Sequence, residues 1–405
     1  MHEELCIRCK GRGLCGKPCP ITKKFFSFKF KTHFSGSSPP EIFVGRQNYP
    51  VVNTGILSPE ELGDTEYYGM PELWHEKNFS IEQILNIRSR MVYARFKSRI
   101  KGRNKFTQVM QEIAMAKKHV DAEIFLKKTP APKIDFDTRA PIIGNPAPLE
   151  SIRLESNPVI EKKVDYLVAD TDAKAQTAIS ELYNSNIDVS NIIKVLSAGL
   201  LGQGFSRKLV PTRWAITATD DTISKFLLQK IRYFPEISEF MLFNSDYLGN
   251  HYEFLLMPDK FAFEVIEAKM PGSAWNPSME SQIYLMQDYE SFFGRKQYAD
   301  SVTGAYYVNR LALCEYLTQT KRQASCLVMR ECRPEYYAPC GVGILRECSR
   351  QAFKNKPEKF SSMREALDAC QKRMKLPVSV FKKKSWLLKE FRKQARLSTW
   401  LQQKN

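Results

Sequence analysis

Apolar residues recur at helical spacing along much of the chain. Residues 80–83 read Ser-Ile-Glu-Gln, a capping box that begins a helix, and an apolar stripe continues from Ile81 to Ile100. The same spacing predicts further helices near residues 106–118, 172–184, 190–201, 220–233, 278–293 and 302–319.

Alternating or short apolar runs predict strands between these helices. They lie near residues 22–34, 163–169, 213–218, 251–257, 261–267, 325–330 and 341–346. Residues 35–77 hold five prolines and several glycines, which predicts irregular chain wrapped on the body. Helices and strands do not alternate steadily, and the phosphate-binding pattern G-x-x-x-x-G-K-[ST] is absent. The pattern therefore favours an α+β fold, a mixed α/β body, over a doubly wound sheet.

Proline content and charge predict how this body is divided. The six prolines in residues 129–158 indicate a linker or an extended arm. The expected parts are a cysteine-rich element at 1–20, the first part of the body with a basic helix at 21–128, the linker at 129–158, an α+β core at 159–376 and a flexible basic tail at 377–405.

Composition excludes two classes of protein. Of the 405 residues, 43% are hydrophobic and 26% are charged, which rules out a chain that is disordered throughout. A run of about 18 apolar residues is absent, so we expect no membrane-spanning helix. The N-terminus lacks an apolar signal region, so we expect a protein that stays in the reducing cytoplasm. In that reducing compartment the ten cysteines are not expected to form disulfides.

The positive charge is concentrated at the two ends of the chain. The net charge is +17, to which residues 1–33 contribute +6 and residues 371–405 contribute +10. Basic ends on a nearly neutral body indicate attraction to a polyanion, most often nucleic acid, although a solubilising tail has the same composition. Between Arg88 and Lys105 there are also eight basic residues and no acidic one, which fits either contact with phosphates or a solvated helix face.

Four cysteines near the N-terminus have the spacing of a zinc site. Cys6, Cys9, Cys15 and Cys19 form C-x2-C-x5-C-x3-C, and glycines between them supply tight turns. Four thiolates close a tetrahedral site, so we expect one structural zinc. An iron–sulfur cluster or four free thiols are the alternatives. The remaining six cysteines are predicted to be buried core residues.

A candidate catalytic group lies in the second half of the chain. His251 and Glu253 share one face of a predicted strand, and a returning strand would place Glu264 or Glu267 opposite them. One histidine and two carboxylates could hold a second divalent metal or act as acid and base on a phosphodiester. A buried ion-pair network is an equal alternative.

A second group of polar residues suits anion binding. It follows Gly202 and Gly204 and consists of Ser206, Arg207, Lys208, Thr212 and Arg213. Arginine and hydroxyl donors favour phosphate, although an ordinary surface loop has the same residues. Asp220 and Asp221, which follow, are predicted to cap a helix.

Several segments, taken together with the cysteine cluster, resemble the Nre family of archaeal DNA-repair proteins, in its NreA branch. These are residues 43–50 (FVGRQNYP), 209–221 (LVPTRWAITATDD), 267–275 (EAKMPGSAW), 304–312 (GAYYVNRLA) and 394–401 (QARLSTWL). The resemblance spans nearly the whole chain. It implies a role in DNA repair, an N-terminal zinc-binding element and docking on the sliding clamp PCNA, and it assigns no catalytic residues.

The last of these segments has the form of a clamp-binding peptide. Leu397, Trp400 and Leu401 fall on one face of a short helical turn, and Gln394 lies one turn earlier. The commoner pattern has a second aromatic residue at the position of Leu401. The alternative is an amphipathic helix that packs on the body.

Three functions are compatible with these patterns. The first is a DNA-repair factor that binds nucleic acid and docks on PCNA. The second is a metal-dependent nuclease or phosphodiesterase that uses His251 and the nearby carboxylates. The third is a non-catalytic, RNA-binding zinc-knuckle protein.

Overall fold

The first half of the chain forms a sheet with short helices around it. The computed structural model describes residues 9, 13, 16, 19–132, 139–277 and 282–391. The elements are α1 (Pro20–Phe25), β1 (His33–Ser38), β2 (Ile42–Val44), β3 (Val51–Ser58), α2 (Pro71–Glu76), α3 (Ile81–Arg90), β4 (Val92–Arg99), α4 (Lys105–Met115), β5 (Val120–Leu126) and β6 (Asn145–Leu154). The strand order is β1-β5-β6-β4-β3-β2, and only β4 and β6 pair in parallel.

Four helices connect this sheet to a second one. They are α5 (Lys162–Ala169), α6 (Ala175–Asn184), α7 (Val189–Ser197) and α8 (Thr212–Ile231). The second half contains β7 (Phe240–Tyr247), β8 (Asn250–Met257), β9 (Ala262–Lys269), β10 (Tyr284–Glu290), α9 (Gly304–Thr320), β11 (Ser325–Cys332), α10 (Val342–Lys354), β12 (Glu358–Phe360), α11 (Met363–Gln371), α12 (Val378–Lys384) and α13 (Trp386–Glu390).

The second sheet is covered on both faces. Its order is β10-β9-β11-β8-β7-β12, with β9 and β11 parallel and the other pairs antiparallel. Helices α9 and α10 pack on one face within the main core, and α11 to α13 cover the other. The three central strands are buried along their whole length, which is why they read as apolar runs.

The α+β fold class is confirmed, and many elements lie where the sequence places them. The capping box at Ser80 is formed, since its hydroxyl accepts from the amide of Gln83. The strands predicted near 251–257, 261–267 and 325–330 are present. The zinc knuckle and the last fourteen residues of the tail stay predictions, because most of their residues lie outside the described part.

Other elements differ from the prediction. The runs at 163–169, 213–218 and 341–346 belong to helices, and the predicted helix at 278–293 contains β10. Residues 35–77 contain three strands, the stretch at 22–34 holds α1, and the basic helix ends at Arg90, after which the chain is a strand. Short apolar runs fit either period, so the neighbours in the fold decide between them.

Two stretches predicted as linker and tail are folded onto the body. Residues 145–154 form β6, which pairs with both β4 and β5 in the middle of the first sheet. Residues 378–391 form α12, α13 and the residue that follows, and Phe381 and Leu387 are buried against the second sheet. The tail is therefore not flexible from residue 377 to residue 391.

The six cysteines outside the N-terminal cluster are all described, and none of them forms a disulfide. Cys314, Cys326, Cys332, Cys340, Cys348 and Cys370 are all buried. Burial raises the pKa of Cys340 and Cys348 to about 12, so these thiols stay protonated. Within the described residues, no helix has the length and apolar character required to cross a membrane.

Candidate nucleic-acid interface

Two basic segments that are far apart in sequence meet at the C-terminal end of β4, in the first sheet. The first is the end of β4 with the loop at residues 100–104, and the second is the loop at residues 204–209. The amide of Leu209 donates to the carbonyl of Ile100 at 2.8 Å, and Lys101 Nζ donates to the carbonyl of Phe205 at 3.2 Å. These contacts fix the two loops side by side.

The loops enclose a polar cleft of about 550 Å³. Its basic lining residues are Lys101, Arg103, Arg207 and Lys208, and none of its lining residues is acidic. Lys101, Arg103 and Lys208 are exposed, and none of the three forms an ion pair with a described residue. The cleft therefore presents uncompensated positive charge, which attracts phosphate groups.

Local backbone features build this cleft. Gly199 ends α7 with φ of +75°, and a Cβ there would lie 2.6 Å from the backbone of Lys208. Only glycine therefore lets the second loop approach α7 so closely. On the other side, the Asn104 side chain caps α4 by accepting from the amide of Thr107 at 2.9 Å.

Exposed aromatic rings lie in the lining of the cleft and in a segment bonded to it. Phe205 is 80% exposed beside Lys101. Tyr49 and Trp214 contact each other with ring centroids 5.5 Å apart, and both keep about two-fifths of their surface exposed. The amide of Ile100 donates to the carbonyl of Pro50 at 3.0 Å, so the Tyr49–Trp214 pair adjoins the cleft.

The predicted anion-binding group is only partly available. Lys208 faces the cleft as an exposed cation. Arg207 lines the cleft, but its guanidinium donates to the carbonyls of Gly202, Val168 and Asp170, so it braces the loop.

The hydroxyls of this group serve the fold as well. Ser206 donates to the carbonyl of Gln203, and Thr212 accepts from the amide of Val44. Arg213 lies in the first turn of α8, half-buried next to Trp214. Tyr49, Phe205 and Trp214 were not identified as candidate binding residues from the sequence, because an isolated aromatic residue in a sequence is most often a core residue.

The prediction that β8 and β9 pair directly as a hairpin is wrong. The two strands are not neighbours, because β11 inserts between them. Glu331 lies opposite His251, and Arg330 lies opposite Glu267. The structure therefore does not bring His251, Glu253, Glu264 and Glu267 together as one group.

His251 and Glu253 belong to an ion-pair network under the C-terminal helices. His251 Nε2 lies 3.0 Å from Glu253 Oε1, and its Nδ1 lies 3.4 Å from Asp246 Oδ2. Burial opposes protonation, but the hydrogen bonds to Asp246 and Glu253 outweigh it and raise the pKa of His251. Arg373 holds both oxygens of Glu253, at 2.7 and 2.9 Å. The arrangement matches the buried ion-pair network, which was the alternative to a catalytic group in the sequence analysis.

Glu264 and Glu267 lie elsewhere and hold other parts of the fold. Glu264 accepts from the backbone amides of Trp386 and Leu387, at 2.8 and 2.9 Å, and thereby fixes the start of α13. Glu267 lies on the opposite face of the sheet and pairs with the buried Arg330. Each carboxylate has cationic or amide donors of its own.

Asp220 and Asp221 are not helix caps, because α8 begins eight residues earlier, at Thr212. Both side chains are buried in the middle of the helix. Arg346 binds Asp220 through two contacts of 2.9 Å, and Arg310 pairs with Asp221. These ion pairs tie α8 to α10 and α9, and they hold in place the helix that carries Trp214.

One group of possible metal ligands is present in the described residues. Donor atoms of Asp64, Glu66 and His119 lie within 4.8 Å of one another. His119 Nδ1 is 2.9 Å from Glu66 Oε1. Burial of Glu66 is outweighed by hydrogen bonds from Asp64 and backbone amides, which lower its pKa to about 2. The trio could bind a divalent cation, and its internal hydrogen bonds also suffice to order this loop.

The described part of the cysteine cluster shows its turns but not its ligand geometry. Cys9 is buried and Cys19 is half-buried, whereas Cys6 and Cys15 lie outside the described residues. Gly13 and Gly16 have φ of 77° and 73°, and the amide of Gly16 donates to the carbonyl of Gly13 at 2.9 Å. Tight turns of this kind fit a set of thiolates around a single zinc. The residues of the predicted clamp-binding peptide, Gln394 to Leu401, also lie outside the described part of the chain.

Two family models match the chain over most of its length. The model described as Archaeal Nre, N-terminal, matches residues 14–276, and Archaeal Nre, C-terminal, matches residues 290–400. Strands β7 to β9 fall in the first match and β11 and β12 in the second, and β11 pairs with both β8 and β9. The two matched parts therefore share the second sheet.

Curated relatives are similar over the same extent. DNA repair protein NreB of Archaeoglobus fulgidus is 37% identical over 389 residues, covering 96% of this chain and 97% of its own. DNA repair protein NreA of the same organism is 38% identical, covering 91% and 93%. DNA repair protein NreA of Haloferax volcanii is 36% identical, covering 79% and 78%. No solved structure matches.

Proposed function

The chain belongs to the archaeal Nre family, and from this membership we propose that it is a DNA-repair factor that binds nucleic acid through the basic cleft and docks on the sliding clamp PCNA. Resemblance to the NreA branch agrees with these relatives. Nucleoid association would follow from these two contacts.

The single observation that carries nucleic-acid binding is the convergence of two basic loops around a cleft without acidic lining. Lys101 and Arg103 come from one loop and Lys208 from the other, and their charges are not neutralised by described carboxylates. Two of the segments that carry the family resemblance, residues 43–50 and 209–221, adjoin this cleft. A protein that binds phosphates at several positions must release counterions from the nucleic acid.

We expect affinity for an oligonucleotide to fall steeply as salt rises. Truncation after residue 391 removes four Lys or Arg residues and no acidic one, without touching the helices on the second sheet. If all four contact phosphates, the slope of log affinity against log salt decreases by about 3 to 4. Fluorescence anisotropy between low and moderate salt measures both slopes.

The truncated chain should keep a clear salt dependence, because the cleft is intact in it. A slope that vanishes on truncation would show that the tail alone binds nucleic acid. That result would disprove nucleic-acid binding by the cleft and leave the tail as the binding site.

Docking on PCNA is proposed from the C-terminal peptide. Residues 386–390 form the last described helix, fixed to the sheet by Glu264 and by Trp386, which stacks on Tyr289 at 4.5 Å. The peptide begins at Gln394, only a few residues after this anchored helix. Anchoring before the peptide would hold the body close to the clamp.

A structural zinc is proposed at Cys6, Cys9, Cys15 and Cys19. Purified protein should carry about one zinc per chain. Replacing Cys6 and Cys9 with Ser should remove it, because two neutral hydroxyls do not replace two thiolates. Metal analysis by mass spectrometry measures the content, and the control is Cys370→Ala, which removes a buried cysteine that is remote from the cluster in sequence. Full zinc retention in the double variant would disprove the assignment.

Phosphodiester hydrolysis is not part of the proposal. The four residues predicted for it lie on both faces of the second sheet, and ion pairs or backbone amides engage them. Asp246 and Glu253 engage both ring nitrogens of His251, and their hydrogen bonds raise its pKa, which favours the protonated form over the neutral form that a base or a metal ligand requires.

A further inference from the structure

We propose that the cleft binds single-stranded DNA, with bases stacked on Trp214 and Tyr49 at one end and on Phe205 at the other. This inference rests on the proposed binding of nucleic acid by the same cleft and names the form that it takes. It uses the exposed rings, which the attraction of phosphates alone does not explain.

The three rings are exposed, although most large apolar side chains in this protein are buried. Phe205 is 80% exposed, Trp214 43% and Tyr49 40%. Water contact with this much aromatic surface is unfavourable, and stacking against a base removes it. Ring faces near unpaired cations are the usual platform for unpaired bases.

Hydrogen bonds link the cations of the cleft to the segments that carry both sets of rings. Ile100 joins both sides, since its amide bonds to Pro50 next to Tyr49 and its carbonyl accepts from Leu209 next to Lys208. Lys101 reaches the carbonyl of Phe205 at the far end. A strand crossing from Trp214 to Phe205 therefore passes Lys101 and Lys208.

The platform is held rigidly before any ligand binds. Trp214 lies in the first turn of α8. The buried Asp220 of the same helix accepts hydrogen bonds from Nε and Nη2 of Arg346. Tyr49 lies in a turn closed by the amide of Val51, which donates to the carbonyl of Asn48 at 2.9 Å. Preformed aromatic surfaces lose little conformational entropy on binding.

Single strands fit this arrangement better than duplexes do. In a duplex the base faces are stacked on one another, so side-chain rings cannot reach them. The phosphates of a duplex can still contact Lys101 and Lys208. Stacking therefore adds affinity for single strands alone, whereas charge contributes to both forms.

The test compares ring removal in the full-length protein on two substrates. Trp214→Ala should weaken binding of a single-stranded oligonucleotide by roughly tenfold, since stacking of one base contributes about 1–3 kcal/mol. Phe205→Ala should give a similar loss. Duplex affinity should stay within about twofold, and Trp214→Tyr, which keeps a ring, should retain most single-strand affinity. Anisotropy with labelled strands of equal length measures each value.

Phe293→Ala is the matched control. Phe293 is 90% exposed, and its neighbour Phe292 lies under Arg232, just past the other end of α8. Since α8 has 20 residues, its ends are about 30 Å apart. The Phe293 variant should bind single strands as the wild type does.

The outcomes separate this inference from the proposed function. If Trp214→Ala lost equal affinity for single strands and duplexes, single-stranded DNA would be overturned as the ligand. The same conclusion would follow if the wild type bound duplex DNA, or RNA of the same sequence, more tightly. Either result would leave nucleic-acid binding intact. Absence of binding to every nucleic acid would overturn both. Circular dichroism and melting temperature would identify a variant that fails to fold, and Trp214→Tyr then carries the test.

Discussion

Reversing the charge of Lys101, Arg103 and Lys208 together should weaken nucleic-acid binding by roughly a hundredfold or more at moderate salt. These exposed side chains line the cleft without ion-pair partners among described residues, so each reversal replaces attraction of a phosphate by repulsion. The slope of log affinity against log salt should fall by about 2 to 3, because three counterion-releasing contacts are lost. Stability should change little, since exposed charges contribute little to folding.

The control changes the same net charge at a distance from the cleft. Lys354, Lys356 and Lys372 are exposed at the edge of the second sheet, and Lys354→Glu, Lys356→Glu and Lys372→Glu shift the net charge equally. If binding depended on net charge alone, both triple variants would weaken it to the same extent. Equal losses would therefore contradict a defined site at the cleft.

Trp400→Ala should nearly abolish binding to PCNA while leaving the fold and zinc content unchanged. A buried aromatic residue near the centre of an interface commonly contributes about 2 kcal/mol or more, which corresponds to a loss of roughly thirtyfold in affinity. The stability of the body should be unaffected, because the second core already includes Phe381 and Leu387 before the peptide begins. Calorimetry with purified clamp measures the affinity, and a melting curve measures stability.

Thr399→Ala is the matched control for this prediction, since residue 399 occupies a variable position of the peptide. It should bind the clamp as the wild type does. A synthetic peptide of residues 392–405 should bind almost as well as the whole chain, because the residues before it are fixed on the body. A peptide that does not bind, combined with a lower melting temperature for Trp400→Ala, would instead support a helix packed on the body.

The candidate cleft could be predicted in pieces but not assembled from the sequence. The basic run between Arg88 and Lys105 and the group from Ser206 to Arg213 each indicated phosphate contact. Their meeting depends on the hydrogen bond from the amide of Leu209 to the carbonyl of Ile100, about a hundred residues apart, and on Gly199, which permits the close approach. The roles of Tyr49, Phe205 and Trp214 depend on their exposure, which a linear pattern does not reveal.

The same limit explains the error at His251. Periodicity correctly identified β8 and β9 as strands, and adjacency in sequence suggested a hairpin. Strand β11, some sixty residues later, takes the position between them, because its apolar residues on both faces require a central place in the sheet. One strand inserted in this way turns a supposed catalytic group into separate ion pairs.

The sequence by itself determined the α+β class, the buried thiols, the family and the candidate residues for zinc and clamp binding, because these depend on composition, local periodicity and short contiguous motifs. The tertiary structure alone decided which strands pair, which charges neutralise one another and which remain free. Arg207, Arg310, Arg330 and Arg346 are held by carbonyls or carboxylates, whereas Lys101, Arg103 and Lys208 form no ion pair with a described residue. Electrostatic function depends on distances of a few ångströms between residues remote in sequence, and only the folded chain sets those distances.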